Sequence, residues 1–281
     1  MPVKTEKSGL FGAWIPVILP VIFLTSLGML ILMSAGAGGD DPYSIVRRQS
    51  VWLVIAVAAG CFAAFVDLKF LKKISIPFAI VSMVLLLLAV VGPFAKEVNG
   101  SHRWIDLKIL AVQSSDIAKF SFIILLSSYL YDNQRRMGTF WYGLVKPLAI
   151  TGIFCVLIII EPDYGTTAVV GAIGFVLIFL AGAKKLYLGA VCVPAILGFA
   201  VMVYHDPVRL NRVLSFLDLE NTKTEGGYQL YQGILAFGSG KLTGLGIGQG
   251  RQQLAFLPEA HTDFVFAIVG EELGLVGTYS V

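Results

Sequence analysis

Glu259, His261 and Asp263 crowd two carboxylates and an imidazole into the run LPEAHTDF at 257–264, just before an apolar stretch that continues to Val281. An apolar helix costs little to place in lipid, whereas ionised groups at its mouth are costly unless they are used. The run therefore reads as a polar site at a membrane surface. Thr262 or Asp263 could cap the following helix, offering a side-chain oxygen where free amides and the helix dipole favour negative charge. Asp263 could equally act as a general base, because partial desolvation at a lipid–water boundary makes a carboxylate more basic. The two uses are compatible, since a cap also fixes the position of a catalytic group. His261 and Glu259 are supporting candidates, although His-x-Asp has none of the spacings of a zinc site. Glu271 and Glu272 lie about 12 Å further along the same helix. Acids inside a membrane are functional candidates and normally face a partner within the bundle.

A second polar cluster runs from Asn99 to Asp106 and holds Arg103 and Trp104; the stretch VQSSDIAK at 112–119 follows it. Trp104 beside Arg103 suits an interfacial aromatic belt. Alternatively, Arg103 pairs with a diphosphate while Trp104 packs on a sugar or lipid. Asp116 and Lys119 are three residues apart, so they meet on one helix face as an ion pair, or Lys119 snorkels to the headgroups. A third cluster, EPDYGTT at 161–167, makes the turn between two apolar runs, with Asp163 as a helix cap or a cation ligand. The glycines from Gly238 to Gly250 do not form a nucleotide-binding motif: no Gly-Lys-Ser/Thr and no βαβ context accompany them. They suit tight turns and close backbone approach instead. The segment 227–237 has the look of an amphipathic element along the interface.

The elements that must position these groups are membrane helices. Hydrophobic residues make up 57% of the 281 and charged residues 14%, against about a quarter charged in soluble domains. Apolar runs long enough to span fall at 14–33, 51–66, 74–91, 117–131, 142–160, 166–183 and 186–204, and an eighth starts at Phe264. The second and fourth are short, so their ends extend into flanking polar residues. Lys4, Lys7, Lys69, Lys72, Lys73, Arg135, Arg136, Lys184 and Lys185 all fall on one side. The positive-inside rule makes that side cytoplasmic, despite Arg47, Arg48, Lys96, Arg103 and Lys108 opposite. The segment 205–262, with Arg209 and Arg212, is then a long extracytoplasmic loop, and such loops usually carry function. The first apolar run is too long for a cleavable signal peptide. Cys61, Cys155 and Cys192 sit in apolar runs and read as packing residues. The eighth run stops before it could span, which predicts a chain truncated at its C-terminus.

Taken in order, these clusters resemble the SEDS (shape, elongation, division and sporulation) proteins, the group containing FtsW, RodA and SpoVE. LPEAHTDF with GEELG at 270–274 is similar to the family signature, and the match is highly specific. Supporting matches are Arg103, Trp104 and Ile105, then Gln113, Ser115 and Lys119, Pro162 through Thr166, Arg212, Phe216, Gly227 through Gln229 and the glycine stretch after Ala236. One departure stands out: the family's Gln-Pro-Ser-Glu is here Gln113, Ser114, Ser115, Asp116. Alanine at 260 leans toward the FtsW and SpoVE branch.

The resemblance implies an all-α polytopic fold, one transmembrane domain over 1–281, with about seven or eight helices of an expected ten. It implies a multi-pass protein of the bacterial inner membrane, N-terminus cytoplasmic and active site outside, at the division site. The implied activity is peptidoglycan glycosyl transfer, polymerising lipid II into glycan strands in division or sporulation. A sugar 4-hydroxyl attacks an anomeric carbon with inversion, which needs one base. Asp263 matches the family's essential acid. Arg103, Arg212 and Lys119 are candidates for stabilising diphosphate charge. A divalent ion such as Mg2+ could share that task, although no ligand set is legible. A class B penicillin-binding protein, a transpeptidase, and other division proteins are the implied partners, and nucleic acid is not among them. Rival readings are a transporter that flips lipid-linked precursors and a non-catalytic division scaffold.

Overall fold

The computed structural model describes residues 8–36, 41, 43–91, 95–98, 101–106, 111–217, 227–250 and 264–281. Its helices are α1 (Ser8–Gly36), α2 (Ser44–Ala64), α3 (Leu68–Val91), α4 (Ser114–Asp132), α5 (Lys146–Ile160), α6 (Tyr164–Leu180), α7 (Lys185–His205), α8 (Pro207–Leu217), α9 (Tyr228–Gly240) and α10 (Val265–Ser280). Every apolar run read from the sequence is a helix, as it must be where lipid offers the backbone no hydrogen-bonding partner. The two short runs do extend, to Ser44–Ala64 and Ser114–Asp132. Five of the described helices are long and apolar enough to cross a membrane: the protein is a multi-pass membrane protein.

The segment read as a long loop, 205–262, contains α8 and α9. A small antiparallel sheet, absent from the sequence reading, joins α3 to α4: β1 (Ala95–Val98), β2 (Ser101–Asp106) and β3 (Ala111–Gln113), in the order β1-β2-β3. The polar cluster around Arg103 is therefore a strand, with Trp104 in register between Lys96 on one side and Gln113 on the other.

The chain forms two compact units, residues 63–201 and residues 1–62 with 202–281. In the first, α3, α4, α5 and α6 enclose a core of Leu86, Phe122, Leu126, Phe154, Ile158, Val170 and Ile178. The Phe122 and Phe154 rings lie 5.3 Å apart at 57°. Small residues bring the helices together, as is usual where lipid supplies no hydrophobic drive. Ser82 on α3 and Ser121 on α4 share a hydrogen bond of 2.5 Å, and α6 presents Gly174 where a Cβ would lie 2.7 Å from Thr151 Cγ2.

In the second unit, α10 packs between α1 and α9, with Ile31, Ala236, Ala267, Ile268 and Val269 as the core. The segment 227–237 falls on α9, which buries Gly233, Ala236 and Gly240. Helix α10 is broken at Gly274, whose φ of 65° and ψ of −159° leave the helical region. The backbone groups freed there do not go unused. Leu245 and Gly246 donate to the carbonyls of Glu271 and Glu272 at 3.0 Å each, and Leu275 and Val276 donate to Lys241 and Leu242 at 3.0 and 3.2 Å. The glycine-rich stretch after α9 is thus laced to the broken helix, which is how irregular backbone survives in a buried setting. Gly244 makes this possible: its φ is +80°, and an added Cβ would sit 2.1 Å from the Glu272 carbonyl oxygen.

Candidate functional site

In the first unit, the second and third polar clusters become one. Gln113 ends β3 and occupies the cap position of α4. Its side-chain amide donates to Asp163 Oδ2 at 3.1 Å and to Ser115 Oγ at 2.9 Å. Ser115 also donates to Asp163 Oδ2 at 3.2 Å, and Thr166 donates through its amide to Oδ1 at 3.1 Å and its hydroxyl to Oδ2 at 2.8 Å. Asp163 is therefore the cap of α6, buried among donors from two segments, and its carboxylate is committed to holding the turn. The strand register sets the backbone of Trp104 opposite Gln113 at the same place.

Beside this, Ser114 donates to Glu161 Oε1 at 2.7 Å, with the serine 0% and the glutamate 1% exposed. Residue 114 is where the family pattern has proline, and the departure has a use: a hydroxyl that proline lacks ties the start of α4 to the end of α5. Sequence reasoning treated the site as a lost proline and did not reach Glu161. The two residues are 47 apart and share no local pattern. Lys119 pairs with Asp116 at 2.7 Å across one turn of α4. Both remain partly exposed, with side chains 31% and 53% accessible, so the pair leaves Lys119 within reach of a ligand.

In the second unit, Glu271 and Glu272 are both buried, at 1% and 0% exposure. The packing of α1, α9 and the glycine stretch around α10 turns both inward, as acids within a bundle are expected to face. Glu272 Oε1 accepts from the Gly248 amide at 3.0 Å and from the Ser34 hydroxyl of α1 in a short bond. One carboxylate oxygen thus joins the first helix, the glycine stretch and the broken helix. No sequence signal pointed to Ser34, which is 238 residues away.

Asp263, His261 and Glu259 lie outside the described residues. What is described brackets them: the stretch before them is fastened to Glu272 through Gly248, and α10 begins directly after them. Its cap position is Phe264, whose own side chain makes no capping hydrogen bond; Thr262, the other expected cap, also lies outside the described residues. Arg212 falls on α8 and Arg103 on β2. Among the described residues, no three His, Cys, Asp or Glu side chains gather as a metal site.

Residues 8–281 match the model of the family described as cell cycle protein, FtsW/RodA/SpoVE. The chain belongs to that family. Relatives named probable peptidoglycan glycosyltransferase FtsW include those of Legionella pneumophila, 37% identical over 84% of this chain and 60% of the relative, and Methylococcus capsulatus, 40% identical over 86% and 61%. That of Alcanivorax borkumensis is 32% identical over 100% of this chain and 74% of its own. The chain thus spans about 60% of the length of the Legionella relative. Among solved structures, a chain from work on the structural coordination of polymerization and crosslinking by a peptidoglycan synthase complex aligns with a TM-score of 0.67 at 25% identity. It covers 92% of this chain and 72% of that one. The rod shape determining protein RodA of Thermus thermophilus aligns with a TM-score of 0.65 at 24% identity over 95% and 69%, and so shares the fold. This family membership is what the signature at 257–274 implied.

Proposed function

We propose that this protein is a peptidoglycan glycosyltransferase that polymerises lipid II outside the cytoplasmic membrane. The family match over residues 8–281, with relatives named for that activity, carries the reading. In the reaction, the 4-hydroxyl of one disaccharide attacks the anomeric carbon of the next. The new C–O bond forms as the bond from that carbon to the diphosphate breaks, and undecaprenyl diphosphate leaves with the electron pair. Asp263 takes the hydroxyl proton, and inversion at one centre needs no second nucleophile. Lys119, Arg103 and Arg212 stabilise charge on the departing diphosphate. Trp104, Glu259 and His261 contribute to substrate binding, while Asp163, Glu271 and Glu272 hold the framework.

The N-terminus is cytoplasmic, the active site faces outward, and the protein serves division in the inner membrane beside a class B penicillin-binding protein. The synthase complex among the similar structures supports that kind of partner. The test is lipid II polymerisation in liposomes by the wild type and Asp263→Asn, with the partner transpeptidase present. Strands from the wild type alone support the enzyme and its base. Strands from neither sink the proposal.

One observation favours a second reading. A discontinuous helix carrying buried acids, as α10 does at Gly274, is a device of secondary transporters. Movement of labelled lipid II across liposomes without polymerisation, lost in Glu271→Gln, would make that reading the better one.

A further inference from the structure

The geometry points to a binding site for one anionic glycerophospholipid on the α3–α4 face of the first unit, at the end opposite Asp163. Here a groove of about 500 Å³ runs between the start of α3 and the end of α4, walled by Leu68, Leu71, Ile123 and Ile124. It is concave and apolar, so an acyl chain lying in it buries more surface than one against a convex helix. At Tyr131 the character changes. The same tyrosine also lines a second hollow of about 600 Å³, formed with residues 132–136 and polar in its walls. The groove suits an acyl chain, and the polar hollow that shares Tyr131 with it suits a headgroup.

Charge selects the headgroup. Lys69 and Lys72 line the groove, Asp132, Arg135 and Arg136 line the second hollow, and Asp67 and Lys73 flank the lysines along the chain. Lys72 neutralises Asp132 by a direct ion pair and lies 4.9 Å from the Tyr131 ring centroid. That pairing fastens α3 to α4 at the mouth of the groove. Arg136 is turned onto the ring of Tyr142 at 5.1 Å. Among the described residues, Lys69, Lys73 and Arg135 make no ion pair, and all three are exposed. A phosphodiester that carries net negative charge fits this excess, whereas a zwitterionic choline or ethanolamine headgroup brings its own cation into it. Basic pockets between membrane helices bind anionic headgroups for the same reason. Ser127 and Ser128 on the groove wall offer hydroxyls at the level of the ester linkages.

The experiment is native mass spectrometry of the protein released from micelles containing equal amounts of phosphatidylglycerol and phosphatidylcholine. The wild type should retain one phosphatidylglycerol in clear preference. Each exposed cation near a surface contributes about a fivefold preference for negative charge, so Lys69→Gln with Arg135→Gln should erase most of the selectivity. Ser127→Trp, at an exposed position, fills the groove and should reduce retention of both lipids. A melting temperature unchanged in these variants confirms that the fold is intact. Equal retention of the two lipids by the wild type overturns the proposal, as does selectivity that survives the double substitution. Displacement of phosphatidylglycerol by equimolar undecaprenyl phosphate also overturns it, assigning the groove to polyprenyl carriers.

Discussion

Replacing Glu272 tests the contact that joins α1, the glycine stretch and α10. Its Oε1 accepts from Gly248 N–H and from Ser34 Oγ, and the side chain is fully buried. Glu272→Ala removes the acceptor of the buried Ser34 hydroxyl, worth about 1–3 kcal/mol, frees the Gly248 amide toward solvent, and leaves a cavity as well. The expected loss is about 3–5 kcal/mol, which in a protein of this size lowers the melting temperature by roughly 6–15 °C. Glu272→Gln keeps a carbonyl oxygen in the same place, so it should cost about 1 kcal/mol. The assay is thermal unfolding in one fixed micelle, followed by tryptophan fluorescence, for Glu272→Ala, Glu272→Gln, Ser34→Ala and the double alanine variant. A double-mutant cycle should show about 1 kcal/mol or more of coupling between Ser34 and Glu272. A fall of less than 2 °C in Glu272→Ala would refute the clamp, since about 3 kcal/mol cannot hide in so small a shift. Additive effects of Ser34→Ala and Glu272→Ala would refute the contact itself.

Three further outcomes follow from the geometry. Ser114→Ala removes the donor to buried Glu161 and should destabilise by about 1–3 kcal/mol in the same melt, while Ser114→Thr, which keeps the hydroxyl, should recover part of it. Gly244→Ala places a Cβ 2.1 Å from the Glu272 carbonyl at a φ of +80°, so a loss of at least about 2 kcal/mol is expected, against near neutrality for Gly138→Ala, which meets nothing within 4 Å. Lys119→Met breaks an exposed pair worth about 0–1 kcal/mol, so melting should barely move. If Lys119 stabilises the departing diphosphate, polymerisation of lipid II should nonetheless fall by tenfold or more.

Much of this protein was legible along the chain, because what lipid demands is local. A span needs a long apolar run, and residues 14–33 or 186–204 announce α1 and α7 without reference to anything else. The i,i+3 spacing of Asp116 and Lys119 predicted their pair, and the position of Asp163 before Thr166 predicted its cap, since both contacts close within one turn. The glycines after Ala236 were read as sites of close backbone approach, and Gly240 and Gly244 provide it. The signature at 257–274 pointed to the family by its resemblance to the family motif, and the family match over residues 8–281 agrees.

Tertiary structure decided what meets what. Asn99 through Gln113 has too little periodicity to declare a sheet, and only strand pairing sets Trp104 opposite Gln113. Whether one or both of Glu271 and Glu272 face inward depends on how many neighbours surround α10, a property of packing and not of its own pattern. Ser114 with Glu161, and Ser34 with Glu272, join segments 47 and 238 residues apart. No spacing rule reaches that far. Hydropathy places each helix in the membrane, but the shape of side chains across helix faces chooses its partners.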